Sequence, residues 1–420
     1  MAHWAGNYLF GQPLQMAHDL ESLQAGEAIL NYSHSTLALP SVHMAPHGLL
    51  EQSHVQLQTT QTTQTADYPI FFAGEGAMGF DLLSAAFFLL SRYEEYLPHT
   101  NDAFGRYCHT NALAYRENFL HRPLIDEWMM GLKACLLRQF PGLVFAQRAA
   151  TYTPTFDVDV AWSYAHKGLW RNTGGLVRQL LSGRFNAAAN RVNVVLNGVR
   201  DPFDVYADLN GLHQRHGLKP KWFFLMAKKA RGYDKNTNPR KPAYQQLMQQ
   251  MAGKFAVGLH GSCQAAKHPT LLSAEQTLLQ SIVQQPITTH RYHYLAFKLP
   301  GGYTQLCPHF KQDYSMGYGS INGFRASTCT PFFWYHLGAE QATGLQIFPF
   351  AFMEANSIFE LKHDAETALA ELQSLYNAVT RVEGLFITIF HNHLVGLDHF
   401  GRTWWNVYER FLVRNFPPQL

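Results

Sequence analysis

A chain of 420 residues with 47% hydrophobic content can bury a core in two or three domains, or in one large barrel with an attached domain, which excludes a disordered chain. The formal charge of +3, with basic residues scattered along the chain, points neither to nucleic acid nor to an anionic membrane. Cys108, Cys135, Cys263, Cys307 and Cys329 form an odd set without a C-x-x-C pair, which argues against a disulfide framework and fits a reducing, cytoplasmic setting.

The first segment, "MAHWAGNYLFGQPLQMAHDL", lacks a basic stretch followed by an apolar core, so no secretory signal is expected. The Gln/Thr-rich "EQSHVQLQTTQTTQTADYP" reads as a β-hairpin arm or a loop. An apolar helix follows from about Phe80 to Tyr96, too polar at Asp81, Arg92, Glu94 and Glu95 to span a bilayer. A second helix is expected from Pro123 to Phe140. Residues 1–148 thus read as a small α+β domain without a catalytic constellation, and Arg92, Glu94 and Glu95 as a surface salt-bridge set.

From residue 149 to 420 short β-rich runs alternate with helix-period segments: "TYTPTFDVDV", "KWFFLMA", "KFAVGLH", "ITTHRYHYL", "FKQDYSM", "LQIFPF" and "LFITIFHN". Asp201 and Pro202 are placed to open a helix that closes at Gly217, with Val205, Leu209 and Leu212 on its buried face. Leu369, Leu372, Leu375, Tyr376 and Val379 mark another that stops at Gly384. About seven strands without a Gly-rich phosphate loop predict an α/β fold, a distorted (β/α) barrel.

The polar residues of interest close the strands, where barrels build their sites. Asp157 and Asp159, two apart, point to the same side of an extended strand. Their repulsion requires a cation, a shared proton or solvent. His260 ends the third run and His391 the last, while His290, Arg291, His293 and Tyr294 crowd another strand end. Imidazole and carboxylate donors leaving an open position are the set of a hydrolytic metal site, with zinc expected.

At these residues the chain resembles the polysaccharide deacetylases, the NodB-homology group of carbohydrate esterases. "TFDVD" resembles their first motif, which implies Asp157 as catalytic base and Asp159 as metal ligand. "GLHGS" resembles the second motif through His260, but Gln264 stands where a second histidine ligand is usual. "RYHY" resembles the Arg-x-Pro-Tyr motif, with Arg291 and Tyr294 in register and His293 in place of proline, positioned to supply the missing imidazole. "ITIFHN" resembles the last motif, whose histidine, here His391, protonates the leaving group. The family's middle motifs imply an Asp313–Arg325 pair that orients the base, and Arg291 or Arg325 would keep Asp157 ionised. Tyr314 and Tyr318 are expected at a sugar-binding rim, a backbone N–H near Tyr294 at the oxyanion, and Asp234 in the pocket.

The implied activity is a metal-dependent deacetylase acting on the N-acetyl amide of a sugar or glycan, preceded by a domain of unknown role. The alternatives are an inactive barrel that binds glycan or a partner protein, and a metallohydrolase acting on a cyclic amide or a peptide.

Overall fold

Nine strands form one hydrogen-bonded sheet: β1 (Thr151–Val158), β2 (Lys221–Leu225), β3 (Ala256–Gly261), β4 (Thr289–Tyr292), β5 (Gln312–Asp313), β6 (Phe332–His336), β7 (Gln341–Ile347), β8 (Phe352–Met353) and β9 (Leu385–His391). They lie in the order β6-β7-β5-β4-β3-β2-β1-β9-β8, and every neighbouring pair is parallel except the β6–β7 hairpin. The computed structural model describes residues 1–19, 21–23, 26–228 and 230–418. Among the described residues the ladder ends at β6 on one side and β8 on the other, so the sheet has nine strands and two edges where a distorted (β/α) barrel of about seven strands was expected from sequence. Two strands had no counterpart in the sequence reading: the aromatic run "FFWYH" of β6, and β8, only two residues long.

The sheet is nevertheless strongly curled. Arg291 on β4 bonds Asp157 and Thr155 on β1, three strands away. At about 4.8 Å per strand a flat sheet would separate them by roughly 14 Å, farther than a guanidinium extends. Alternation along β1 explains the two environments. Thr155 and Asp157 face the concave side, whereas Phe156 packs on His213, Trp222 and Tyr408.

Helices Tyr206–Arg215, Pro242–Ala252, Pro269–Val283, Ala365–Arg381 and His399–Asn415 accompany the strands. The Ala365–Arg381 helix has Asp364 as N-cap, accepting from the Thr367 N–H at 2.8 Å, and buries Leu369, Leu372, Leu375 and Val379 as its stripe predicts. Asp201 departs from expectation. The helix after it begins only at Tyr206, and the Asp201 carboxylate instead accepts the N–H groups of Ser163, Tyr164, Ala165 and Phe203, clamping the loop that leaves β1.

His213 on the Tyr206–Arg215 helix is fully buried, its Nε2 2.6 Å from the Tyr408 hydroxyl. Burial, helped by His216, lowers its pKa from 6.5 to about 3. The unfolded chain therefore binds the extra proton between those values, so this contribution is complete above pH 6.5 and is lost as pH falls toward 3. We expect denaturant stability to fall across that window by an amount on the order of a few kcal/mol more in the parent chain than in His213→Gln; parallel curves would contradict it.

In the N-terminal region the apolar helix is Leu82–Leu90, N-capped by Asp81 onto the Ser84 N–H at 3.0 Å. All its residues but Phe87 are buried, with Phe88 against Phe71 and Phe72, and Phe71 in turn against Trp128 of helix Leu124–Gln139. The Gln/Thr tract ends in a two-residue pairing of Thr63–Gln64 with Pro69–Ile70. Arg92, Glu94 and Glu95 are buried, contrary to the surface set expected. Glu95 accepts from Arg92 Nε at 2.8 Å and from Arg325 at 2.9 and 2.6 Å, while Arg92 also reaches Glu94 at 3.1 Å. Residues 92–95 therefore form a buried charge network with Arg325, located 230 positions from Glu95.

Candidate metal and catalytic site

Parallel register brings the strand ends to one level: His391 lies opposite Asp157 on β9 and β1, and His260 opposite Arg291 on β3 and β4. Asp159 follows β1, and His293 opens the turn after β4, a turn in which Tyr294 and Leu295 both adopt positive φ. Asp159 Oδ1 is 3.3 Å from His260 Nε2, and its Oδ2 is 3.6 Å from His293 Nε2.

Each imidazole is turned by its other nitrogen. His260 Nδ1 donates to the Arg291 carbonyl at 3.0 Å, and His293 Nδ1 donates to Asp234 Oδ1 at 2.8 Å. Both Nε2 atoms thereby face the Asp159 carboxylate. Asp159 Oδ1 is buried without a hydrogen-bond partner, a costly state unless a cation occupies the space between the three groups. The donor set of two imidazoles and one carboxylate fits a borderline divalent ion.

A second group, Asp234, Cys263 and His293, also has its donor atoms close together. It is the poorer candidate. Asp234 is fully buried and already accepts from His293, from the Cys263 N–H at 2.9 Å and from Gln264 N–H groups at 3.0 and 3.1 Å. Burial also pushes the Cys263 thiol up, which disfavours the thiolate a metal needs.

The charges around Asp159 are strongly coupled. Burial favours its neutral form, but His293 and His260 outweigh this and hold the carboxyl well below the usual range. Burial likewise opposes a charged His293, and Asp159 and Asp234 hold that imidazole well above 6.5. Asp157 is held by Arg291, whose NH1 donates at 2.6 Å; the fully buried guanidinium also donates to Thr155 and the Tyr314 carbonyl. His391 Nε2 is 4.0 Å from Asp157 and 3.9 Å from Asp159. Its Nδ1 faces Glu354 at 3.0 Å, and Glu354, assisted by the two aspartates, overcomes burial to raise the His391 pKa to about 9.

These groups line a cavity of about 230 Å³. Phe104 and Arg106, from the first 148 residues, line it too, with Arg106 donating to the Tyr294 carbonyl at 2.9 Å. Phe104, Tyr233 and Tyr294 form an exposed aromatic group at its mouth, with ring centroids 4.8 to 5.6 Å apart.

The geometry corrects several sequence expectations. Arg325 pairs with Glu95 and the Gly317 carbonyl, not with Asp157 or Asp313. Asp313 is fully buried on His290 and Ser315, and Tyr314 is buried against Phe348, so neither meets a ligand. Tyr318 is buried beside Arg92 and is absent from the rim. Asp234 orients His293 instead of facing the cavity. Glu354, His393 and the Phe104–Arg106 pair were missed. Glu354 follows a strand too short to show a period, and His393, held down to about 4 by burial, was visible only as the second histidine of "FHNH".

Residues 2–141 match a family of unknown function, DUF7033. No curated protein matches the chain. Among solved structures, a Mycobacterium smegmatis protein assigned as a polysaccharide deacetylase is 12% identical, with 64% of this chain and 86% of that one covered at a TM-score of 0.40. The allantoinase Puue is 9% identical, covering 63% and 83% with a TM-score of 0.40. The polysaccharide deacetylase Bc1974 from Bacillus cereus is 12% identical, covering 64% and 88% with a TM-score of 0.30. These likenesses are too distant to carry the chemistry, which rests on the geometry.

Proposed function

We propose that the chain is a metal-dependent amidohydrolase that removes the acetyl group from an N-acetylated sugar or glycan. The observation that carries this reading is the convergence of Asp159, His260 and His293 through outward-tethered imidazoles, beside an arginine-held Asp157 and a Glu354-paired His391. Bound by these three ligands, a divalent ion, zinc by its donors, supplies polarisation of the amide carbonyl and a lowered pKa for water.

Asp157 accepts the proton of the attacking water, and the Arg291 guanidinium, donating to Oδ1 at 2.6 Å, fixes its orientation. His391, protonated near neutral pH through Glu354, delivers a proton to the departing nitrogen as the C–N bond breaks, giving acetate and an amine. The cavity of about 230 Å³ is smaller than the roughly 300–1,000 Å³ of sites that enclose a whole ligand, which suits a substituent such as an acetamido group. A pyranose ring would then lie against Phe104, Tyr233 and Tyr294 outside.

The test is acetate release from a panel of N-acetyl sugars and oligosaccharides by the zinc-loaded protein. Release that disappears in His391→Ala supports the reading; metal-replete protein silent on the whole panel removes it. A narrower expectation concerns Asp234. Asp234→Asn should weaken metal affinity about 10- to 100-fold, because it loosens His293 and lowers its basicity; an unchanged affinity in a competitive chelator titration would show that Asp234 does not support the ligand.

A further inference from the structure

Residues leaving the carboxyl end of β1 form a helical hairpin, Leu169–Leu181 and Phe185–Leu196. At 3.6 residues per turn, Leu176, Leu169, Leu180, Val177, Trp170 and Leu181 occupy one arc of roughly 140°. In a globular protein such an arc faces the core. Here it faces outward: Trp170 is 93% exposed, Leu181 84%, Leu169 77%, and Phe185 at the turn 66%. The covered side is the polar one, where Arg191 of the second helix donates to Asn172 at 2.8 Å and Gln179 at 2.7 Å. The hairpin is thus inverted, with polar groups inside and large apolar groups outside.

Charge identifies what covers it. Between Asp159 and Asp201 the chain carries Lys167, Arg171, Arg178, Arg184, Arg191 and Arg200 and no acidic residue. Arg191 is turned inward, and Arg200 pairs with Asp208 at 2.5 Å. Arg171, Arg178 and Arg184 are exposed beside the apolar arc. The overall charge of +3 conceals this concentration, so the basic residues are not evenly scattered as the composition implied.

We propose that the hairpin is a peripheral anchor for an anionic lipid surface, with Trp170, Leu181 and Phe185 entering the headgroup boundary and the three exposed arginines on lipid phosphates. No helix of the described residues is long and apolar enough to cross a membrane, and an interfacial hairpin requires none. A second copy is disfavoured because it would set like charges against each other. The anchor is independent of the reaction proposed for the cavity.

The test is flotation of the full chain with vesicles of phosphatidylcholine alone or mixed with phosphatidylglycerol. Binding should be at least about tenfold stronger to the anionic vesicles and should weaken with added salt. The Trp170→Glu/Leu181→Glu variant and the Arg171→Glu/Arg178→Glu/Arg184→Glu variant should each lose at least about tenfold with unchanged thermal unfolding. No binding, or equal binding to both vesicles, overturns the proposal. So does a concentration-dependent dimer in light scattering that Trp170→Glu abolishes, since the patch would then belong to a self-interface.

Discussion

Asp157→Asn is expected to retain the divalent ion while turnover falls by about 10²- to 10⁴-fold, the usual contribution of a positioned acid–base group. An amide oxygen can still accept the Arg291 hydrogen bond, but the side chain can no longer take a proton. Arg291 keeps its bonds to Thr155 and the Tyr314 carbonyl, so unfolding of the variant should be followed in parallel to separate lost chemistry from lost structure. Asp159→Asn should behave in the opposite order. It replaces the charged ligand whose buried Oδ1 has no hydrogen-bond partner, so metal affinity falls first and turnover follows occupancy. Chelator competition and acetate-release kinetics on both variants distinguish the roles. Equal metal loss in the two would mean that both aspartates act as ligands.

The largest stability effect is expected at Glu95. Its carboxylate is buried between the guanidiniums of Arg92 and Arg325, which overcome the burial penalty and lower its pKa. Glu95→Ala leaves two buried cations short of an acceptor, and breaking such a network costs about 3–5 kcal/mol. Denaturant unfolding should show that loss, with the metal content of the folded fraction unchanged. A change under about 0.5 kcal/mol, as for an ordinary surface residue, would contradict the burial of this network.

The strand ends were readable in the sequence because each is an apolar run interrupted by one or two polar residues. Parallel strands buried on both faces produce that pattern, and it led to Asp157, Asp159, His260, Arg291, His293 and His391. What failed was partnership. "SRYEEY" has the same local spacing whether solvated or buried, and only Arg325 far along the chain decides between them. Asp313, Tyr314 and Arg325 sit near the other candidates in sequence, yet their side chains are taken up by His290, Phe348 and Glu95. Glu354 gave no signal because β8 is two residues long. The strand count fell short for a related reason: counting runs separated by helices does not reveal the antiparallel β6–β7 hairpin at one sheet edge. The arginines of the Leu169–Leu196 hairpin were missed because a whole-chain charge averages them against acids elsewhere.

The central claim is that Asp159, His260 and His293 together hold the ion. Zinc X-ray absorption of the reconstituted protein tests it most directly, because the competing group contains Cys263. The account predicts about one zinc per chain, with only nitrogen and oxygen scatterers near 2.0–2.2 Å and the signature of two imidazoles. A sulfur scatterer at about 2.3 Å, or protein that binds no zinc, would contradict it.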